Sequence, residues 1–412
     1  GLGDVYKRQP CLLIGPSAPL LLQSAAIPKR PVLSLQFSFS LSSTPTTSST
    51  SSTALFSTSA NNKKKMELAP CFKRAKLDDA ASTKVIGTHS GTFQADEAMG
   101  VWMLRQTSQY RNAKVVRSRD MATLGTLDIV IDVGGVYDHA ALRYDHHQRG
   151  YDERFDVAPE KGETRCTKLS ASGLVYRHYG KDVIRTFYPG LSEEQIDLVY
   201  VKLYDNLLEA LDAIDTGVEP VPEGVELQYK DSTGLASRVG RLNPRWNELP
   251  EPNPDERFEE ASALCGADFL SCLIKIVESD MPARAFVEDA LKERLDTDAS
   301  GEIIKLSSGG LPWKNHLYDL EKQYKIEGDA LIKFVLYTDQ AGMWRVQAVT
   351  VEGKQFENRL SLPQEWRGVR DEDLVQVTKI PGSRFCHAAG FIGGADTYEG
   401  ALAMAKEALT RK

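Results

Sequence analysis

An α/β fold, with a mainly parallel sheet flanked by helices and a second, α+β domain after it, is predicted by three features of the sequence. Between residues 84 and 214, short apolar runs alternate with helical patterns, the order that builds a parallel sheet covered by helices. The run Ile129-Val130-Ile131 is continuously apolar, as strands buried on both faces are. After a Pro- and Gly-rich stretch at residues 218–254, helices come first and strands follow in a group.

Ordered structure is expected from residue 84. Val85-Ile86 reads as a short buried strand, followed by a loop and an amphipathic helix over residues 96–106. Residues 114–117 and 128–133 supply two more strands, and residues 170–179 and 193–214 read as helices. Residues 218–254 form a connection. Helices are then expected over 255–279 and 282–295, the second with Pro282 in its first turn, where a missing N–H is tolerated. Strand signals follow at 302–306, 332–337 and 344–350, and a last helix runs from 397 to the end. This divides the ordered chain into domains at 84–250 and 251–412, with residues 66–83 as a linker.

The first 65 residues do not read as folded structure. Residues 11–65 contain no Asp or Glu, Ser and Thr crowd residues 38–59, and Lys29, Arg30 and Lys63-Lys64-Lys65 add positive charge. Such a composition is that of an organelle transit peptide, mitochondrial or plastid, or of a plain disordered tail. Lys73-Arg74-Ala75-Lys76 is a short nuclear-localisation candidate. The apolar stretch at 11–27 is interrupted by Pro16 and Pro19, too early for a membrane span. Cys11, Cys71, Cys166, Cys265, Cys272 and Cys386 form no C-x-x-C pair, which argues against a structural zinc site or a disulfide scaffold. A net charge of −7 runs opposite to what a broad basic surface for nucleic acid gives, although acidity alone rules nothing out, since an acidic metal site itself contributes carboxylates. Any phosphate-bearing substrate must be held locally, by metals and a few Arg or Lys.

Four clusters of metal-ligand residue types lie in the first domain. His89 and Asp96 fall in Gly87-Thr88-His89-Ser90-Gly91-Thr92-Phe93-Gln94-Ala95-Asp96-Glu97, between a strand and a helix. Ligands of open α/β sheets bind at that carboxyl end, although Asp96 would also serve as a helix cap. Asp132 ends an apolar strand before Gly134-Gly135, where an unpaired carboxylate is costly; a metal, a helix N-terminus or an Arg would resolve it. Asp145-His146-His147 is expected at a strand end, and adjacent imidazoles behind an Asp are hard to explain as ordinary core residues. Asp212 and Asp215 end a long helix, where a carboxylate opposes the helix dipole and calls for a cation. Imidazole and carboxylate donors without thiolate suit Mn²⁺ or Mg²⁺. A bridged cation pair, with Asp132 as the bridge, would activate water and clamp a phosphate in line.

These ordered clusters resemble the DHH phosphoesterase superfamily, with Asp145-His146-His147 as its central motif and Thr167-Lys168-Leu169-Ser170-Ala171-Ser172-Gly173 similar to the helix start that follows it. Ile86-Gly87-Thr88-His89, Asp132-Val133-Gly134-Gly135, Arg143-Tyr144-Asp145-His146-His147-Gln148-Arg149, Tyr337-Thr338-Asp339-Gln340-Ala341-Gly342 and His387-Ala388-Ala389-Gly390-Phe391-Ile392-Gly393-Gly394 resemble one branch closely, the Myg (melanocyte-proliferating-gene) exonucleases. The resemblance implies a DHH domain with a C-terminal substrate domain, and a 3′–5′ exonuclease acting on single-stranded RNA or oligonucleotides in mitochondria and nucleus. It implies His89, Asp96, Asp132, His146 and Asp215 as metal ligands, with Asp145, His146 and His147 catalytic. Arg143, Lys168, His387, Gly393 and Gly394 would hold substrate, the glycines through exposed backbone N–H groups; a tight turn before the last helix is their bland reading. Gln94 stands where the family pattern has His. As an amide it would be a weaker ligand, and Gln94→His is expected to raise metal-dependent turnover.

Two other readings compete with the exonuclease: a phosphatase or pyrophosphatase acting on a small substrate, and a degenerate, non-catalytic binding module. Protein hydrolysis has no support, for there is neither an activated Ser or Cys nor an H-E-x-x-H helix.

Overall fold

Strands from the two halves of the sequence assemble into separate five-stranded sheets. The computed structural model describes residues 83–155, 165–222 and 224–411. The transit-peptide and nuclear-signal readings, and nearly all of the linker, lie outside the described residues.

The first sheet contains β1 (Val85–Thr88), β2 (Lys114–Arg117), β3 (Ile129–Ile131), β4 (Tyr137–Asp138) and β5 (Arg143–Tyr144) in the order β2-β1-β3-β5-β4. All neighbours are parallel except β4 and β5. Helices α1 (Ala95–Gln106), α2 (Met121–Gly125), α3 (Ala171–Phe187), α4 (Glu193–Leu203), α5 (Glu209–Asp215), α6 (Leu235–Gly240) and α7 (Pro254–Ile274) accompany it. Gly100 lets α1 approach β3 closely, because a Cβ there would lie 2.9 Å from Ile131 Cδ1. Ile86, Met99, Ile131, Val175, Tyr176 and Phe269 are fully buried in the resulting core. The helix expected over 193–214 is one run containing a π turn at Tyr204–Leu208, a feature common near functional sites. β5 is the strand expected before Asp145, whereas β4 has no signal in the sequence because two residues carry no periodicity.

Helices α7 and α8 (Met281–Lys292) are also one run, joined by a π turn at Lys275–Asp280. Pro282 explains the turn, because it has no N–H for the carbonyl of Glu278, and Met281 N–H bonds Ile276 O instead. Phe258 and Phe269 at the start of this run pack around the first sheet, whereas Val287 and Leu291 belong to a cluster against the second.

That second sheet contains β6 (Ile303–Lys305), β7 (Phe334–Thr338), β8 (Trp344–Ala348), β9 (Ser383–Cys386) and β10 (Ile392–Ala395) in the order β6-β7-β8-β10-β9. Only β6 and β7 are parallel. The remaining helices are α9 (Arg294–Thr297), α10 (Lys314–Gln323), α11 (Asp371–Thr378) and α12 (Tyr398–Thr410). Strand alternation divides β7 between two cores: Phe334 and Leu336 pack with Met404 of α12, and Val335 with Leu317 of α10 and Val287 of α8. Among the described residues, no helix is long and apolar enough to cross a membrane.

Candidate metal centre

His89, Asp132 and Asp145 directly follow β1, β3 and β5, three adjacent parallel strands whose carboxyl ends face one edge of the sheet. The chain leaves β1 for β2 on one side, while β3 pairs on the other, so the site lies at the topological switch point. Asp132 is held at φ +56°, followed by Gly134 at +108° and Gly135 at +69°. A non-glycine residue in that region stores backbone strain of order 1–3 kcal/mol, which the surrounding contacts must offset. Helix starts and ends supply the rest: Asp96 and Glu97 in the first turn of α1, Ser170 capping α3, and Asp212 and Asp215 in α5.

Distances bring these groups to one place. His89 Nε2 lies 3.1 Å from Glu97 Oε1 and 3.4 Å from Asp132 Oδ2. His146 Nε2 lies 3.0 Å from Asp215 Oδ2, and its Nδ1 lies 3.8 Å from Asp132 Oδ1. Asp145 Oδ1 accepts from the backbone N–H of His147 at 3.0 Å and from its ring Nδ1 at 2.8 Å, while Oδ2 accepts from Gly135 N–H at 2.5 Å. Three groups have donor atoms within 4.8 Å of one another: Asp96, Asp132, His146 and Asp215; His89, Glu97 and Asp132; and Asp132, Asp145, His146 and His147. Asp132 belongs to all of them.

The electrostatics call for cations. Asp96, Glu97, Asp132, Asp145 and Asp212 are each at most 4% exposed, and among the described residues none of them pairs with a Lys or Arg. Burial and then the charges of Asp132 and Asp215 push the Asp96 carboxyl well above the usual carboxylate range. Burial also raises Glu97, against the opposing pull of His89. For His89, burial disfavours the charge, yet the Asp132 and Glu97 carboxylates raise its pKa to about 10. His146 is likewise raised, Asp215 outweighing burial. Asp145 differs: burial pushes it up, but the N–H groups of His147 and Gly135 win and hold it low.

A divalent cation pair fits this donor set. Among the described residues, the buried atoms Asp132 Oδ1, His146 Nδ1 and Asp215 Oδ2 find no hydrogen-bond partner; the close approach of His146 Nε2 to Asp215 Oδ2 lacks hydrogen-bond alignment. Unpartnered buried donors and acceptors are rare, and these three point into the cluster. Asp96 is anchored by Ser170 Oγ and by the N–H groups of Ala171 and Ser172 at 3.0 and 2.7 Å. Asp212 stands behind it, accepting from Ser170 N–H and Tyr204 OH at 3.0 and 2.8 Å, with Ser170 Oγ, whose one proton lies between the two carboxylates, at 2.6 Å. Asp212 thus braces Ser170, and Asp215 is the α5 carboxylate that reaches the centre.

A cavity of about 460 Å³ opens over these residues, lined by His89, Gln94, Arg119, Asp132, Asp145 and His147 among others. Gln94 is exposed at its mouth, and the group meeting His89 Nε2 is Glu97. The residues expected to hold substrate do not gather there. Arg143 donates to the carbonyls of Ala141, Leu142 and Leu127, and Lys168 to that of Tyr151 at 2.8 Å. His387 is exposed in a turn, its Nδ1 accepting from Ala389 N–H. Gly393 and Gly394 sit within β10, paired on both sides. A Cβ on Gly394 would lie 2.5 Å from the Phe385 ring and 2.9 Å from Arg345 Nη1, so this glycine makes room for a packed side-chain pair.

Glu97, Ser170 and Arg119 were not assigned from the sequence as site residues. Glu97 had a signal, standing beside Asp96 in the first turn of a helix; Arg119, on the loop after β2, had none. Arg119 donates to Ser90 O at 3.1 Å and lies 3.3 Å from His89 Nδ1.

A family profile described as an uncharacterised protein family (UPF0160), MYG1_exonuc, matches residues 85–409. The MYG1 exonuclease of Rattus norvegicus is 48% identical over 330 residues, covering 79% of this chain and 85% of that protein. The MYG1 exonuclease of Homo sapiens is 46% identical over 349 residues, covering 84% and 91%. The MYG1 protein of Dictyostelium discoideum is 43% identical over 334 residues, covering 80% and 98%. No solved structure matches the chain. With nearly all of its described residues inside the match, the chain belongs to the MYG1 exonuclease family.

Proposed function

We propose that this chain is a metal-dependent 3′–5′ exonuclease that hydrolyses the phosphodiesters of single-stranded RNA, with Mn²⁺ as the preferred cation and Mg²⁺ as the alternative. The observation that carries the reading is Asp132, shared between the Asp96–His146–Asp215 group and the His89–Glu97 group at the carboxyl ends of β1 and β3. A carboxylate common to two donor groups is what a bridged cation pair requires, and such a pair activates water and neutralises charge in an in-line phosphoryl displacement. The name of the rat and human relatives, exonuclease, supports a nucleic acid as substrate; RNA and the 3′–5′ direction come from the Myg resemblance.

The chain's own residues have defined parts in this reaction. Asp145, held ionised, accepts from His147 Nδ1, fixing the tautomer so that Nε2 is left to exchange a proton with substrate. His147 is exposed at the cavity, the position from which its imidazolium form, protonated at Nε2 as well as Nδ1, would give a proton to the departing ribose oxygen. Arg119, the only Arg or Lys among the described residues lining the cavity, binds the phosphate. Residues 84–250 carry the chemistry in this reading, and residues 251–412 supply a substrate-holding domain. The acid-poor residues 1–65 act as a mitochondrial address, with the nucleus as a second destination; a fluorescent fusion of that segment tests this.

The deciding experiment incubates the protein and an Asp145→Ala, His146→Ala variant with a short RNA carrying a 5′ label, in Mn²⁺. Stepwise shortening from the 3′ end, lost in the variant, is expected. Inert RNA beside rapid hydrolysis of small phosphomonoesters or pyrophosphate would replace the exonuclease reading with a small-substrate phosphatase.

A further inference from the structure

We propose that Glu97 is a cation ligand of this centre, completing with His89 and Asp132 the position at which Gln94 offers no imidazole. This inference rests on the two-cation reading above. Glu97 is fully buried, and its Oε1 lies 3.1 Å from His89 Nε2, which in turn is 3.4 Å from Asp132 Oδ2. The donor atoms of the three residues lie within 4.8 Å of one another, a spread that one cation can draw together. Gln94, by contrast, is exposed at the cavity mouth. Its backbone is what the site uses, because Gln94 N–H donates to both Glu97 oxygens at 2.9 and 3.1 Å.

That anchoring also explains why Glu97 faces inward. The N–H groups of a helix's first turn have no partner within the helix, and a carboxylate three residues past the cap reaches back to satisfy one. A capping glutamate normally keeps the remainder of its carboxylate in water. Glu97 has no water-facing surface and, among the described residues, no Lys or Arg partner. Its remaining lone pairs face His89, whose Nε2 also faces Asp132. Replacing the proton on that nitrogen with a divalent cation satisfies both carboxylates and the imidazole together. An imidazole–dicarboxylate set is a hard, anionic site that suits Mn²⁺ or Mg²⁺. The chain therefore keeps two cation positions without a histidine at 94.

Glu97→Gln separates cap from ligand, because a glutamine oxygen still accepts from Gln94 N–H while the negative charge is lost. The full chain is stripped with EDTA, dialysed against Mn²⁺, and assayed for bound Mn²⁺ and for the electron paramagnetic resonance of a coupled ion pair; melting in EDTA checks the fold. Two Mn²⁺ with a coupled spectrum in the parent and in Gln94→Ala, but one uncoupled Mn²⁺ in Glu97→Gln, is the expected result. Two Mn²⁺ retained by Glu97→Gln, or one lost by Gln94→Ala, would overturn the assignment. Should Glu97→Gln not fold, Gln94→Ala decides alone by the same criterion. A parent holding a single Mn²⁺ that Glu97→Gln leaves in place overturns the inference and spares a one-cation site. A parent holding none overturns the metal-centre reading and the inference with it.

Discussion

Gly173→Ala is expected to destabilise the protein, although the same change inside most helices stabilises it. Gly173 lies in the first turn of α3, and a Cβ there would stand 2.4 Å from both carboxylate oxygens of Asp212 and 2.7 Å from its Cγ. Asp212 cannot step aside freely, since Ser170 N–H, Ser170 Oγ and Tyr204 OH all hold it. Overpacking of this kind costs about 1–3 kcal/mol, and losing two of those three hydrogen bonds, at about 1 kcal/mol each, adds about 2 kcal/mol. The helix-propensity gain of Ala over Gly offsets about 1 kcal/mol, leaving a net loss of roughly 2–4 kcal/mol. The disturbance reaches the centre, because Ser170 Oγ also bonds Asp96; loss of such an outer support lowers metal affinity about 10–100-fold. Urea unfolding of EDTA-treated protein and Mn²⁺ titration measure the two effects. Removing the obstructing carboxylate should abolish the clash, so Gly173→Ala placed on an Asp212→Ala background should cost nothing further. A raised urea midpoint for Gly173→Ala alone would refute the argument.

Asp132→Asn should weaken both cation positions together and reduce turnover beyond the roughly 100-fold ceiling of outer-shell changes; a variant losing one Mn²⁺ and keeping the other tightly would deny the bridge. The raised pKa values of His89, to about 10, and of His146 mean that Mn²⁺ displaces protons, so apparent affinity should rise with pH by about tenfold per unit for each proton displaced, and a flat Mn²⁺ affinity between pH 6 and 8, chosen as about the usual assay range, would contradict it. The same shift has the opposite sense for the metal-free fold: His89 contributes stability fully below its ordinary value of 6.5, and the contribution is lost as pH rises towards about 10, which urea midpoints in EDTA should register. Arg119→Ala should weaken binding of a non-hydrolysable RNA analogue by about tenfold or more, the worth of a charge-assisted hydrogen bond, while Mn²⁺ stoichiometry stays unchanged; unaltered RNA affinity would remove Arg119 from the phosphate site.

Much of the centre was legible because backbone geometry places side chains at strand ends. Ile129-Val130-Ile131 had to be a central strand, so Asp132 had to emerge at its carboxyl end, and the loop after Val85-Ile86 had to open beside it. Asp215 was legible for another reason, as a carboxylate at the wrong end of a helix dipole. What was not legible depended on contacts distant in sequence. Arg143 looked suited to phosphate by its place beside Asp145-His146-His147, yet three local carbonyls take up its guanidinium. Gly393-Gly394 reads as a turn or a phosphate cradle because two glycines suppress strand propensity, and only distant neighbours explain them: Met404 and Leu362 crowd Gly393, and the Phe385 ring and Arg345 crowd Gly394. The helical run from α7 to α8 was divided in two by Pro282, whose missing N–H is accommodated by a π turn rather than by a break.

The acidic composition and a phosphate substrate are reconciled at the same place. Buried carboxylates at Asp96, Glu97, Asp132 and Asp145 would repel RNA if they stood alone, and the imidazoles of His89, His146 and His147 cannot neutralise them all. Each cation added cancels two of those charges, so a loaded pair turns a site that rejects phosphate into one that attracts it. Substrate should then bind after metal, and its affinity should depend on Mn²⁺ concentration more steeply than on ionic strength. A protein that held RNA through many Lys and Arg contacts would show the reverse, since its affinity falls with salt roughly in proportion to the number of phosphates neutralised. With Arg119 as the only such side chain among the described residues lining the cavity, the salt dependence of RNA binding at saturating Mn²⁺ should be shallow, whereas stripping the metal should remove binding altogether.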